Sequence, residues 1–550
     1  MAHFINAKET LVTDALDGFL RTAGNADLAR LDGFPQIKVV LNTAHAANRV
    51  AVISGGGSGH EPSHAGLVGK GMLAAAVCGE VFASPSVDAV LAGILAVTGK
   101  AGCLLVVKNY TGDRLNFGLA AERARALGLK VEMVVVGDDI ALPDINQPRG
   151  LAGTLFVHKI AGYYASKGAK LAKVADFARA VAATTASIGI SLSSCSIPGM
   201  AMEARIPDGK AELGLGIHGE PGVDLIAFEG AAQTANILLE KLSIVVKPAK
   251  SYVLLLNNLG ATTGLEMQVI AQEILKNEKA KKIKLIIGPS PLMTALDMHG
   301  LSASLLPLND DFEVALMAPV ACSAWPGTKS VDKVHIVKLS KDVVSPPQKP
   351  SKNPLFAAML ETACDALIAA EDDLNILDGK IGDGDTGSTM AGAARNLKLA
   401  IAKLPLANNA DAFVGISNLL TASMGGSSGV LLAILFAAAG VAAKEGQPAA
   451  ESLKTGFEKM KQYGGANLGD RTMVDAIEPA LEALVAGKGL SFAANTARKG
   501  AIATGKMKSA KAGRAAYVSA VNLGGVIDPG AEAVARVMAA LAAMDEMARS

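Results

Sequence analysis

Between Val343 and Pro354 the chain reads VVSPPQKPSKNP, with four prolines in twelve residues, and no regular element of a packed domain can run through it. Such a stretch is a semi-extended linker. A chain of 550 residues divided in this way must build separate cores on its two sides. The texture changes across the linker. Before it, short apolar, β-branched runs (RVAVIS, CLLVVK, KVEMVVV) each end in a loop rich in Gly, Asn or Asp. Near-continuous apolar strands that alternate with helical segments predict a parallel sheet covered on both faces. The pattern weakens near Thr184 and resumes with YVLLLNNLG and IKLIIGPS, so a second α/β subdomain is expected. After the linker, Ala/Leu-rich segments with helical spacing are separated by Gly-containing turns. The predicted architecture is therefore α/β over 1–184 and 185–342, with mainly parallel sheets, then the linker 343–354, then an all-α bundle over 355–550.

Composition narrows the partners. Lys plus Arg is 52 against 51 for Asp plus Glu, so no electrostatic footprint for nucleic acid or for an anionic membrane is present. The five cysteines (Cys78, Cys103, Cys195, Cys322, Cys364) are scattered and read as reduced thiols. The first twenty residues carry no apolar signal core. The apolar run Val430 to Ala443 is too short to span a bilayer and is expected to be a buried helix. A soluble cytoplasmic protein follows, with no nucleic-acid or membrane partner. All eight histidines (His3, His45, His60, His64, His158, His218, His299, His335) precede the linker, so any histidine chemistry belongs to the first part.

Three features before the linker carry chemistry. GGGSGHEP follows a strand but is neither a Walker A loop nor a dinucleotide fingerprint. Its backbone is suited to wrapping closely around a small polyol, with His60 as donor or acceptor. KNYTGD places Lys108 and Asp113 at another strand end, where Asp113 is a plausible general base. From this segment alone a Lys–Asp pair closing a turn explains the residues equally well. In GLGIHGEPG, His218 lies among glycines, which leaves its ring room for a ligand. A lone histidine is by default structural, yet a neutral imidazole can attack a carbonyl carbon and so tell carbonyl compounds from alcohols.

After the linker, LDGKIGDGDTGST packs Asp378, Asp383 and Asp385 into eight residues. Carboxylates this close repel unless a cation compensates them, and a hard divalent ion such as Mg²⁺ is the natural one. Thr386, Gly387, Ser388 and Thr389 follow at what reads as a helix start, where phosphate is favoured. A solvated, turn-rich acidic loop is the ordinary alternative. SMGGSSG offers Ser427 and Ser428 at another helix start, and YGGANLGDRTM with DPGA adds Gly464, Arg471, Thr472, Met473, Asp528, Pro529 and Gly530. Each of these alone is common turn or cap chemistry, and only their co-occurrence argues for a nucleotide.

Taken in order, GGGSGHEP, KNYTGDRLNFGLA, GIHGEPG and NNLG, then IGDGDTGST, MGGSSG, YGGANLGDRTM and DPGA, resemble the two-domain ATP-dependent dihydroxyacetone kinases over essentially the whole chain. The resemblance implies that Gly57, Ser58, Gly59, His60, Lys108 and Asp113 bind dihydroxyacetone. It implies that His218 holds the substrate as a hemiaminal, with His60 and Asp113 assisting by hydrogen bonding and proton transfer. Asp378, Asp383 and Asp385 would bind two Mg²⁺ that bridge ATP phosphates. Thr386, Gly387, Ser388, Thr389, Ser427 and Ser428 would cradle phosphates, and Gly464, Thr472, Met473, Asp528, Pro529 and Gly530 would contact the nucleotide, with Arg514 a secondary candidate. A homodimer joined through the α/β domains and an eight-helix barrel are implied as well. The resemblance leaves open glyceraldehyde as substrate and the splitting of FAD to a cyclic FMN, and a non-catalytic carbonyl-sensing regulator stands as the alternative of another class.

Overall fold

Alternate residues of the early strands face opposite cores, and this alternation builds the first layer. In β3 (Ala51–Ser58), Ala51 and Ile53 join one apolar cluster and Val52 the other. Leu105 and Val107 of β5 (Cys103–Lys108) likewise oppose Leu104 and Val106. Each such fully buried aliphatic side chain stabilises the fold by about 1.5–3 kcal/mol. The computed structural model describes all residues except 1–2, 32, 34–35, 143–144, 201–204, 341–348, 513–515, 517–522 and 550. The described chain forms two units, Met1–His335 and Ile336–Ser550.

In the first unit, β1 (Leu28–Arg30), β2 (Val39–Asn42), β3, β4 (Ala75–Val81), β5 and β6 (Val131–Val136) form a six-stranded sheet in the order β1-β2-β4-β3-β5-β6. The pairs β3–β4, β3–β5 and β5–β6 are parallel. After α1 (Leu11–Thr22), the helices α2 (Val87–Val97) and α3 (Thr111–Ala126) contribute to one apolar cluster, and α4 (Thr154–Ser166) and α5 (Leu171–Ala182) to the other.

The second sheet corrects the parallel expectation. Its strands are β7 (Ala186–Ser191), β8 (Lys210–Leu213), β9 (Asp224–Ala227), β10 (Tyr252–Asn258), β11 (Ile283–Pro291), β12 (Gly300–Pro307) and β13 (Thr328–Ser330). They are ordered β13-β11-β10-β12-β7-β8-β9. Only β10–β11 is parallel; the other five pairs are antiparallel. The reason lies in the connections. A parallel crossover needs a helix-length segment, which α7 (Gly264–Lys276) supplies between β10 and β11. The β8–β9 and β11–β12 links hold no helix, so those strands return antiparallel. α6 (Ala231–Val245) and α7 cover the face bearing Leu254 and Leu256, and α8 (Asp310–Met317) follows β12.

Asp138 joins the two sheets. Its carboxylate accepts Leu151 N at 2.7 Å, Gly153 N at 2.9 Å and the hydroxyl of Ser187 on β7. Burial lifts this carboxyl to about 6, although the bonds from Ser187 and Leu151 pull the other way. A carboxyl that is harder to ionise folded than unfolded adds stability below about 4, its ordinary range, and loses that contribution as pH rises through about 6. Asp138→Asn is therefore expected to remove a component of about 2 kcal/mol from the difference in stability between pH 4 and pH 7. Urea melts of parent and variant across that range check it; an unchanged pH dependence counts against it.

The second unit is all helical. Asn353 caps α9 (Pro354–Ala369), with Pro354 as its first residue, and Ser351 bonds back to Leu404 and Leu406. The predicted linker residues 343–348 lie outside the described residues. α10 (Glu371–Asp378) continues α9 across Ala370. Then come α11 (Thr386–Ala400), α12 (Asn409–Ser423), α13 (Gly426–Lys444), α14 (Ala449–Gly464), α15 (Val474–Val485), α16 (Leu490–Thr504) and α17 (Pro529–Arg549). From α11 to α17 each helix packs on the next, and α9 packs on both α11 and α17, so eight helices close a ring. The ring encloses an apolar cavity of about 280 Å³ lined by residues such as Leu360, Met390, Phe436 and Met538. α13 spans 19 residues and is by length and composition long enough to cross a membrane, which corrects the shorter run read from the sequence. In the structure it is a ring member between α12 and α14, where Ala433 O accepts the Ser417 hydroxyl at 2.7 Å.

Candidate active site

In the α/β unit the site forms where the parallel neighbours β3 and β5 end side by side, which is where ligands meet open α/β sheets. β3 ends in Gly56, Gly57 and Ser58 and runs into Gly59 and His60. β5 ends in Lys108, and the first turn of α3 presents Asp113 five residues later. Lys108 and Asp113 are both buried, with Lys108 Nζ at 4.0 Å from Asp113 Oδ2. A Cβ on Gly56 would fall 2.5 Å from that Nζ, so only glycine lets the backbone pass this close. Ser84 donates its hydroxyl to Asp113 Oδ1. Ser58 Oγ donates to Gly79 O at 2.8 Å, which fixes the loop to β4.

The two sequence-predicted histidines meet. His218 lies in the ten-residue loop between β8 and β9, half-buried, with its ring centroid 4.8 Å from that of His60. Phe82 and Tyr110 close the other sides of the His218 ring, at centroid distances of 5.3 Å and 4.4 Å. His60 Nδ1 lies 2.7 Å from Thr294 O, and a carbonyl only accepts, so Nδ1 carries the hydrogen. Burial, then the neighbouring His218 and Lys108, hold His60 well below the usual imidazole range. It is neutral, and its buried Nε2 is bare and without a partner among the described residues. His218 Nδ1 faces Glu220 Oε1 at 3.1 Å, and its backbone N–H donates to Glu220 Oε2 at 2.9 Å. With Nδ1 engaged by Glu220, Nε2 is the nitrogen that His218 can offer to a ligand. Burial pushes the Glu220 carboxyl up, but its bonds from His218 outweigh this and hold it down at about 2. Arg205 anchors the same loop by donating to Gly219 O at 3.1 Å, and Arg149 does so by donating to Gly214 O at 2.7 Å.

In the helical unit the ring's alternate members begin at one end. α11, α13, α15 and α17 all start at a single cavity of about 400 Å³. Four helix N-termini converging in this way favour an anion. Asp378, Asp383 and Asp385 line the cavity with ligand oxygens within 4.8 Å of one another. Asp378 Oδ2 also accepts Asp385 N at 3.0 Å and Thr386 N at 3.2 Å, which fixes the loop. An all-oxygen carboxylate set fits a hard divalent cation such as Mg²⁺. Thr386, Thr389, Ser427, Ser428, Gly464, Thr472, Met473, Asp528, Pro529 and Gly530 share the cavity. Gly387 and Ser388 do not line it. Ser388 is engaged by Asn375, whose Oδ1 accepts its N–H at 3.0 Å and whose Nδ2 donates to its hydroxyl at 2.9 Å. Arg514 lies outside the described residues.

A Dak1 domain profile matches residues 22–324, and a DAK2 domain profile matches residues 380–543. The dihydroxyacetone kinase of Citrobacter freundii is 49% identical over 543 residues, 98% of each chain. The chain belongs to the dihydroxyacetone kinase family. A crystal structure of the Citrobacter freundii dihydroxyacetone kinase in complex with AMP-PNP and Mg²⁺ matches with a TM-score of 0.80 at 47% identity, over 99% of both chains. Human triokinase/FMN cyclase is 38% identical over 570 residues, 98% of each chain.

Beyond the residues read from sequence, this member of the dihydroxyacetone kinase family places Glu220, Tyr110, Phe82 and Ser84 around the α/β site. Glu220 had a local signal, since it lies two residues past His218 in the same loop. Phe82 and Ser84 had none, because they lie in the segment that follows β4. In the cavity of the helical unit Arg471 is fully buried at φ +62, with Nη2 donating to Val526 O at 2.6 Å. Asp528 opposes there the lowering of Arg471 by burial.

Proposed function

We propose that this protein transfers the terminal phosphoryl group of Mg-ATP to dihydroxyacetone, which it holds as a hemiaminal on His218. The observation that carries the reading is the meeting of the His60 and His218 rings, centroids 4.8 Å apart and each with its Nδ1 engaged, in a chain that also bears the clustered aspartates. His218 Nε2 adds to the carbonyl carbon as the C=O π bond opens and the carbonyl oxygen takes up a proton from water. Glu220 holds the Nδ1 hydrogen and, being anionic, balances the positive charge that grows on the ring. His60 Nε2 accepts from a substrate hydroxyl, and Asp113 takes the proton of the terminal hydroxyl as that oxygen attacks phosphorus. Asp378, Asp383 and Asp385 would hold two Mg²⁺, and Thr386, Thr389, Ser427 and Ser428 would hold the phosphates. Bound Mg-ATP supplies the phosphoryl group and the positive charge that neutralises its oxygens. The resemblance supports a cytoplasmic homodimer joined through the α/β units.

The purified protein with Mg-ATP is expected to phosphorylate dihydroxyacetone at a rate typical of kinases, about 1–100 per second, in a coupled assay. The full-length likeness to human triokinase/FMN cyclase favours testing two further substrates beside it, glyceraldehyde with Mg-ATP and FAD with Mn²⁺. FAD cleavage without kinase activity would overturn the proposal. Absence of all three activities would favour a carbonyl-sensing regulator.

A further inference from the structure

Beside Asp113 runs a row of buried polar groups that the reaction as proposed leaves unused. Lys108 Nζ lies 3.0 Å from His64 Nε2, 3.4 Å from Gly55 O and 4.0 Å from Asp113 Oδ2. An ammonium only donates, so His64 Nε2 is the bare acceptor and its ring is neutral. Behind it His158 crosses the His64 ring edge-on, with centroids 5.2 Å apart. Neither nitrogen of His158, nor His64 Nδ1, has a partner among the described residues. The titratable groups facing Lys108 are His60 and His64 from the loop after β3, Cys78 from β4, Asp113 from α3 and His158 from α4. Burial drives the His158 imidazole down to about 3 and the Cys78 thiol up to about 12, and it holds His64 well below the usual range. Asp113 carries the carboxyl group among them, and a buried ammonium is drawn to it strongly.

We infer that His64 is a positioning residue whose imidazole holds the Lys108 ammonium off the Asp113 carboxylate. The inference rests on the proposed role of Asp113 as base. Ser84 already occupies Asp113 Oδ1, so Oδ2 is the oxygen a released lysine would take. A direct contact there would cover the atom that must receive the substrate proton and would make it a weaker base. His64 prevents this by offering the ammonium a neutral acceptor on the other side. The arrangement keeps Lys108 close, yet leaves Oδ2 for the substrate.

The test is kcat against pH for dihydroxyacetone phosphorylation at saturating Mg-ATP. His64→Leu is expected to lower kcat about 10- to 100-fold. It should also move the acid limb to lower pH by about one unit, with KM for Mg-ATP unchanged. His64→Gln, whose amide oxygen accepts from an ammonium, is expected to restore both the rate and the limb toward the parent. A loss of kcat in His64→Leu with the limb unmoved, or a Gln variant no better than Leu, would overturn the inference. If His64→Leu does not fold by circular dichroism, His64→Asn, too short to reach Nζ, is read by the same criteria. Asp113→Asn separates the two levels of the argument. Parental activity in that variant removes the base and with it this inference, whereas an inactive Asp113→Asn beside a parental His64→Leu profile removes the His64 role alone.

Discussion

Exchange of His218 for alanine is expected to lower kcat/KM for dihydroxyacetone by about three orders of magnitude, with the affinity for Mg-ATP unchanged. A three-carbon substrate has few atoms with which to bind, and a small ligand gains at most about 1.5 kcal/mol per heavy atom even in ideal sites. A covalent bond through Nε2 supplies the fixed pose that such contacts cannot. It also supplies the discrimination. Glycerol carries the same hydroxyls but no electrophilic carbon, so the parent should reject it. In His218→Ala the two compounds meet only hydrogen-bonding groups, and the ratio of their kcat/KM values should fall toward one. The measurement is a pair of coupled assays on each protein. A variant that still prefers dihydroxyacetone as strongly as the parent would show that His218 does not form the bond. Because His218 is half-buried and its loop is also held by Arg149 and Arg205, the alanine variant should keep its fold.

Asp383→Ala is expected to reduce turnover at least about a thousandfold while capture of dihydroxyacetone by the α/β unit persists. The choice among the three aspartates matters. Asp378 is buried and accepts two backbone N–H groups, so its loss would also loosen the loop that begins α11. Asp383 is exposed, and its substitution opens no core. Removing one carboxylate from the set weakens the hold on a hard cation and leaves phosphate charge uncompensated. Steady-state assays with Mg-ATP, beside calorimetric titration with dihydroxyacetone, read the two properties separately. Retained ATP-dependent activity would remove Asp383 from the metal site.

The division of chemistry was readable because it lies in residue types confined to one side of a proline-rich stretch. The glycine-rich loop, the KNYTGD turn and the aspartate cluster were readable because each is continuous in sequence. The helical motifs belong together for a reason the sequence shows only indirectly. They stand at the starts of α11, α13, α15 and α17, every second member of a closed ring, so segments far apart in sequence share one rim. Gly387 and Ser388 do not line the cavity because a first turn has several faces, and Asn375, from the preceding helix, takes Ser388. The second sheet was read as parallel because apolar strands look alike in either direction; only the missing helix in the β11–β12 link separates the cases. Glu220 was overlooked because an acidic residue in a Gly-Pro turn looks like solvent-facing punctuation until its two bonds to His218 are seen.

The closed ring sets the order in which its own unit becomes complete. α9 and α17 are neighbours in space but lie at opposite ends of the helical segment, so the contact that shuts the barrel spans nearly the whole unit. Contacts between successive helices are local and quick, whereas this one is of the highest sequence separation and the slowest to find. Until α17 has formed and docked, the flanks of α9 and α16 that it covers stay bare, and the unit is exposed to aggregation for that interval.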